Sequence, residues 1–338
     1  MIPQTLQVSQ LASWQDELNN LIRSPEELFD LLQLPQDGLE QARLACKDFP
    51  LRVPRPYASR IQPGNLQDPL LQQVLPLGAE LQAAPGYSHD PLEEADSNPV
   101  AGLIHKYKSR VLLITSPSCA IHCRYCFRRH FPYDENKPGR SQWQQALDYI
   151  AADNAINEVI YSGGDPLSSN DKQLAWLTQQ IAAIPHIKRL RIHTRLPIMI
   201  PQRITADCLR WLSETRLQTI MVLHINHAQE IDDDVRGALA KLQQHGVTLL
   251  NQAVLLKGIN DELSTQVALS ESLFASGVLP YYLHLLDKVE GAAHFDIRRD
   301  QALKLHKAMQ AQLPGFLVPK LVQEVAGAPS KVMVEAGG

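Results

Sequence analysis

The sequence predicts an α/β fold, a partial (β/α)6-type barrel preceded by a helical and irregular cap. Three observations carry that expectation. From about residue 108, short β-branched or apolar runs alternate with longer amphipathic runs. The short runs read as nearly all apolar, which marks strands of a parallel sheet covered by helices. No GxGxxG follows the first of them, so a dinucleotide-binding arrangement lacks its phosphate-binding turn.

Residues 1–105 read as the cap. Leu18, Leu21, Ile22, Leu28, Leu31 and Leu32 recur at helical spacing, and Ser24-Pro25-Glu26-Glu27 caps a second helix. After Phe49, the stretches LRVPRPYASRIQPGNLQDP and APGYSHDPLEEADSNP are dense in proline and turn residues. Such chain cannot sustain regular elements and is expected to wrap another surface. The barrel core is expected over 106–315. Its strands fall at Arg110–Thr115, Glu158–Tyr161, Lys188–His193, Thr219–Ile225, Val247–Leu255 and Val278–Leu285; Leu317–Glu324 opens a C-terminal segment, 316–338. Helices are expected between them at Gln142–Ala152, Asn170–Ile184, Ala206–Glu214, Asp233–His245, Glu262–Ser276 and Arg298–Gln312. Gly246 and Gly277 sit where a helix C-terminal glycine belongs. Loops after the strand C-termini then hold the chemistry.

The 338 residues carry 32 Lys plus Arg against 36 Asp plus Glu, a net charge of −4. That balance shows no global nucleic-acid footprint. The longest apolar runs, such as Val111 to Ile114, fall far short of the ~20 residues of a membrane helix. The start, MIPQTLQVSQ, lacks a basic segment followed by an apolar run. The expectation is a cytoplasmic protein without nucleic-acid or membrane partners.

Of five cysteines, Cys119, Cys123 and Cys126 lie within eight residues, directly after the run VLLIT. Clustering of this kind in a chain of this class points to metal or redox chemistry rather than disulfides. Three thiolates in one loop can hold three corners of a cubane iron–sulfur cluster and leave the fourth iron open. A Cys3His zinc knot using His122 or His130 is the alternative, although no second CxxC exists to complete an ordinary structural site. Arg129, His122 and His130 otherwise read as solvating the loop, and Cys46 and Cys208 as packing residues.

CxxxCxxC after the first barrel strand resembles the radical S-adenosylmethionine (SAM) enzymes, whose open iron chelates the methionine moiety of SAM. Gly163-Gly164-Asp165, one βα unit later, is similar to that family's loop for the methionine amino group. Glycines permit close backbone approach and a carboxylate suits an ammonium. The resemblance narrows to the lysine 2,3-aminomutases, over roughly Tyr57 to Val334. It is carried by NPVAGL (98–103), CRYCFRRHF (123–131), LPIMIPQRIT (196–205), LHINH (223–227), NQAVLLKGIN (251–260), PYYLHLLD (280–287) and GAAHF (291–295).

Such a resemblance implies a radical SAM partial barrel with two cofactors beside the [4Fe-4S] cluster: SAM and pyridoxal 5′-phosphate (PLP). It implies that Lys331, ending the run Glu324–Lys331, forms the Schiff base with PLP, although AGAPS replaces the family's glycines. Arg128 matches the arginine that binds the carboxylate of L-lysine. Asp287 and Glu324, the latter in place of the usual Asp, match the carboxylates for its ε-ammonium. His224 and Gln252, near strand ends, are expected to contact SAM or order the site.

The reaction implied is migration of the α-amino group of L-lysine to the β-carbon, started by an adenosyl radical that a reducing electron donor generates from SAM. Only seven residues follow Lys331, which resembles the short members making (R)-β-lysine for elongation factor P, attached there by a lysyl-tRNA-synthetase-like ligase. An aminomutase for another amino acid such as arginine, and a zinc-stabilised binding module, are the alternatives.

Overall fold

The computed structural model describes residues 13–94, 97–132 and 139–335. The N-terminal stretch read for a signal segment, and Ala95 and Asp96 of the turn-rich stretch, lie outside the described residues. The cap opens with α1 (Trp14–Asn19), α2 (Pro25–Leu31), α3 (Leu39–Asp48), α4 (Arg55–Ala58) and α5 (Pro69–Gln72). Ser24 caps α2 as expected, its side chain accepting from the Glu27 amide at 3.2 Å. Asp68 does the same for α5, accepting from the Leu70 and Leu71 amides.

The sheet follows. Its elements are β1 (Leu103–Tyr107), β2 (Arg110–Ser116), α6 (Arg140–Ala152), β3 (Glu158–Gly163), α7 (Asp171–Ala183), β4 (Arg189–Thr194), α8 (Leu196–Met199), α9 (Ala206–Ser213), β5 (Gln218–Leu223), α10 (Asp233–Gln244), β6 (Thr248–Val254), α11 (Leu263–Ala275), β7 (Leu279–His284), α12 (Arg299–Gln312), β8 (Lys320–Gln323) and β9 (Val332–Met333). Strands β2 to β8 run parallel in chain order, each joined to the next through a helix. Antiparallel β1 and β9 flank the two edges, and among the described residues nothing pairs them with each other. This is the open, partial α/β barrel that the alternation of runs predicts.

Expected strands and helices stand within two residues of their places, except the last strand. It begins at Lys320 rather than Leu317, because a 3-10 turn over Gly315–Leu317 and Pro319 delay the ladder. Gly246 and Gly277 take φ of +78° and +72°, the left-handed turn that ends α10 and α11. The sequence boundary at 105 falls inside β1, and β8 of the C-terminal segment pairs with β7. The sheet therefore extends beyond the expected core on both sides, into β1 and into β8 and β9.

One apolar core runs from Trp14, Ile22 and Phe29 of the cap through the strands to the helices around them. A smaller cluster, Leu256, Ile259, Leu286, Val289, Ala292 and Phe295, lies under the loops after β6 and β7 and packs against Tyr125 of the cysteine loop. The strands are less uniformly apolar than expected. In β4, Leu190, Ile192 and Thr194 are buried, while Arg189, Arg191 and His193 alternate with them and are only half-buried. An open barrel has a lumen, and polar side chains on alternate positions line it.

Candidate active site

The cysteine loop leaves the end of β2, and the cap holds it at nearly every step. The Arg52 guanidinium donates to the Cys119 carbonyl at 3.0 Å, and the His122 amide donates to the Arg52 carbonyl at 3.0 Å. His122 Nδ1 meets the Pro50 carbonyl at 2.7 Å. Arg124, fully buried between two of the cysteines, donates from Nε and Nη2 to both oxygens of Glu80 (2.7 and 2.5 Å) and from Nη1 to the Phe49 carbonyl (2.8 Å). Arg129 joins the same Glu80 at 3.0 Å. His122 and Arg129 are thus anchors of the loop to the cap, not solvating groups.

The three thiols face a common interior. Burial pushes the Cys119 thiol well up and Cys126 up to about 11, and each is raised further by the neighbouring cysteines. Arg195, buried after β4, donates from Nη1 to Cys123 Sγ at 2.7 Å and from Nη2 to Gln73 and Glu230 (2.5 and 2.9 Å). Three soft sulfur donors, mutually close and flanked by a fixed cation, suit a polynuclear cluster carrying several irons.

Gly163 and Gly164 seat the loop that follows β3 directly on the cysteine loop. The Gly164 amide donates to the Ser116 carbonyl and the Asp165 amide to that of Ser118, both at 2.8 Å. A Cβ on Gly163, whose φ is +121°, would lie 2.4 Å from the Ser116 oxygen; one on Gly164 would lie 2.5 Å from the Ser118 oxygen. Only glycine fits that cradle. The Asp165 carboxylate, expected from sequence to pair with an ammonium, is taken up otherwise. It accepts from the Thr194 hydroxyl (2.6 Å) and from the amides of Arg195 (2.7 Å), Leu196 (3.0 Å) and Leu167 (3.0 Å). Four donors fill the acceptor sites of a carboxylate. Asp165 is therefore a clasp between the ends of β3 and β4, and it fixes the backbone from which Arg195 reaches Cys123.

Within the lumen, Lys331 just before β9 donates from Nζ to Glu324 at 2.5 Å, and the Tyr107 hydroxyl donates to the other oxygen of Glu324. These charges hold Glu324 below the usual carboxylate range although burial pulls the other way. Asp287 lies in the field of Lys331, Glu324, Glu94 and Lys106, yet its carboxylate has no hydrogen bond or ion pair among the described residues, and burial pushes its pKa up to about 7. Arg128, buried two residues after the last cysteine, forks onto Glu94 through Nε and Nη2 (2.7 and 2.9 Å) and donates from Nη1 to the Ser162 hydroxyl at 3.1 Å.

Gln252 donates to His224 Nε2 at 2.9 Å, and the His224 ring stands 6.0 Å from that of His193. Burial, with the nearby charges of Arg128 and Lys331 adding to it, pushes the His224 pKa down to about 3. Burial likewise drives His193 and His284 well below the usual imidazole range. Lys331, Arg128, Asp287, Glu324, His224 and Gln252 thus share one lumen. Sequence reading missed Tyr107, Glu94, Ser162, His193, Arg195 and His284. The alternation along β4 carries a signal for His193; nothing local marks Glu94.

The Radical SAM superfamily model matches residues 113–264. Over 333 residues the chain is 52% identical to the L-lysine 2,3-aminomutase of Haemophilus influenzae, spanning 98% of each chain. It is 50% identical over 332 residues to that of Escherichia coli, covering 98% of this chain and 97% of that one. With that of Buchnera aphidicola it shares 44% over 335 residues, 99% and 98% of the two chains. This chain belongs to the L-lysine 2,3-aminomutase family of the radical SAM superfamily.

Proposed function

We propose that the protein is an L-lysine 2,3-aminomutase, moving the α-amino group of L-lysine to the neighbouring carbon to give β-lysine. The observation that carries the reading is Asp287, a half-buried carboxylate that has no hydrogen bond or ion pair among the described residues and lies in the same lumen as Lys331 and Arg128. Such a group calls for a cation, and the ε-ammonium of lysine supplies one. A glutamate side chain would instead meet two acidic groups there.

Cys119, Cys123 and Cys126 would hold a [4Fe-4S] cluster, the backbone around Gly163 and Gly164 would flank SAM, and Lys331 would hold PLP. When bound, these groups supply a one-electron reduction that yields a hydrogen-abstracting adenosyl radical, and a conjugated ring for the migrating nitrogen. The remaining work falls to the chain. Arg128 takes the substrate carboxylate through a planar fork. Asp287 and Glu324 take the far ammonium, so the substrate is held at both ends and its reacting carbons are fixed between them. His193, His224 and His284, held well below the usual imidazole range, stay neutral, so they add no charge to the lumen. Helices and cap close the barrel wall against water and stray hydrogen donors.

The partner reading extends this one. On it the product is (R)-β-lysine, passed to a lysyl-tRNA-synthetase-like ligase for attachment to elongation factor P. The test is anaerobically reconstituted protein with L-lysine, SAM, PLP and a reductant, followed by chiral chromatography. Appearance of (R)-β-lysine, lost in Lys331→Ala and Cys123→Ala, upholds the reading. Absence of any β-lysine from protein shown to carry cluster and PLP overturns lysine as substrate, and the (S) isomer alone overturns the link to the factor.

A further inference from the structure

Glu94 has no place in the proposed chemistry, yet among the described residues it is a charged partner that grips Arg128 with both carboxylate oxygens. It comes from the turn-rich cap segment, 34 residues before Arg128 in the chain, and both side chains are buried. Its two oxygens grip the Nε–Nη2 edge at 2.7 and 2.9 Å, while Nη1 is turned to the Ser162 hydroxyl at the end of β3. Lys106 Nζ lies 3.5 Å from the same carboxylate, so Glu94 answers to two cations and does not by itself cancel Arg128. The charges of Arg128 and Lys106 keep it ionised despite its burial.

A guanidinium offers a carboxylate two edges, and a long side chain carrying it has several rotatable bonds. Holding one edge fixes the plane, and with it the direction of the other. On the reading that Arg128 binds the α-carboxylate of lysine, we propose that Glu94 is a positioning residue. It stays on the Nε–Nη2 edge during binding and orients the Nη1–Nη2 edge toward the incoming carboxylate, making the site selective for amino acids over amines and amides. Pre-set orientation removes an ordering cost from binding.

The opposite role, a resident carboxylate that substrate must displace, predicts an effect of opposite sign. The experiment is equilibrium titration calorimetry of holoenzyme carrying cluster, SAM and PLP, left unreduced so that no turnover occurs, with L-lysine and with L-lysinamide, whose carboxylate is a neutral amide. Wild type is expected to prefer lysine. In the near-isosteric Glu94→Gln, lysine affinity is expected to fall by about tenfold to a hundredfold while lysinamide changes little, and Glu94→Asp should recover part of the loss. Tighter or unchanged lysine binding in Glu94→Gln overturns the positioning role, as does an equal loss for both ligands. Wild type that fails to distinguish lysine from lysinamide refutes instead the assignment of Arg128 to the carboxylate. Iron content and PLP absorbance of each variant report whether the fold and cofactors are intact.

Discussion

Replacing Glu80 by Gln is expected to cost about 3–5 kcal/mol of stability, because it removes one partner from a buried ion cluster while leaving its cations in place. The side chains of Glu80, Arg124 and Arg129 are 1%, 0% and 3% exposed. Glu80 accepts from Arg124 at 2.7 and 2.5 Å, from Arg129 at 3.0 Å and from the Leu77 amide at 3.1 Å. Glutamine fills the same space, so no cavity contributes. Its amide oxygen can still accept from one arginine, but its NH2 then faces guanidinium donors with no acceptor between them. For 338 residues, with an unfolding entropy of about 0.7 kcal/mol/K, 4 kcal/mol lowers the melting midpoint by about 6 °C. Anaerobic denaturant unfolding measures the loss directly. Because Arg124 sits between Cys123 and Tyr125, iron and sulfide per chain should fall with it. The exposed pair Arg210–Asp207, at 59% and 68%, is the control: Asp207→Asn should leave the midpoint unmoved. A loss below about 1 kcal/mol for Glu80→Gln, with full iron content, would refute the view that a buried ion cluster holds the cysteine loop.

Other perturbations separate the parts of the site. Gly164→Ala places a Cβ 2.5 Å from a backbone oxygen of the cysteine loop and should lower cluster occupancy; Gly237→Ala, in open space on α10, should instead stabilise the fold by about 0.5–1 kcal/mol. Asp287 has a pKa raised to about 7 in the fold, so between about pH 4 and 7 the folded chain binds a proton that the unfolded chain has lost. Its contribution to stability therefore diminishes as pH rises through that window, and PLP-free Asp287→Asn should show a flatter dependence in denaturant titrations. The same ionisation makes the ammonium subsite, so kcat/KM for lysine should rise as pH passes about 7 in wild type and stay low and level in Asp287→Asn. Lys331→Ala should lose the absorbance of covalently held PLP while its iron content stays at the wild-type level, because the contact Lys331 makes is with Glu324 and not with the cysteine loop; parallel loss of both would show that the two cofactor sites are not separate.

Regular elements were legible because their causes are local. The 3.6-residue period of α10 and the turn glycine behind it are both contained within some fifteen residues of chain. Strand β1 escaped because LIHKY carries a histidine and a lysine that mimic loop composition, and β9 because two residues make no pattern. For the site, local pattern reached only the thiols. Lys331 stood out by resemblance alone; by itself AGAPSK reads as a solvated tail, and only the fold brings it to Glu324 and Tyr107. Asp165 shows the reverse difficulty: a carboxylate in a motif invites a ligand, but Leu167 after β3 and Thr194, Arg195 and Leu196 at the end of β4 supply four donors that no spacing rule foretells. Glu94 was least visible of all, one more charge in an acidic, turn-rich stretch. What sets its role is the path of the cap over the open barrel, which puts it onto a guanidinium from another loop. An open barrel needs such a cover, because its lumen is polar and its edges do not close. A cover made of irregular chain has no period from which its inward-facing residues could be read.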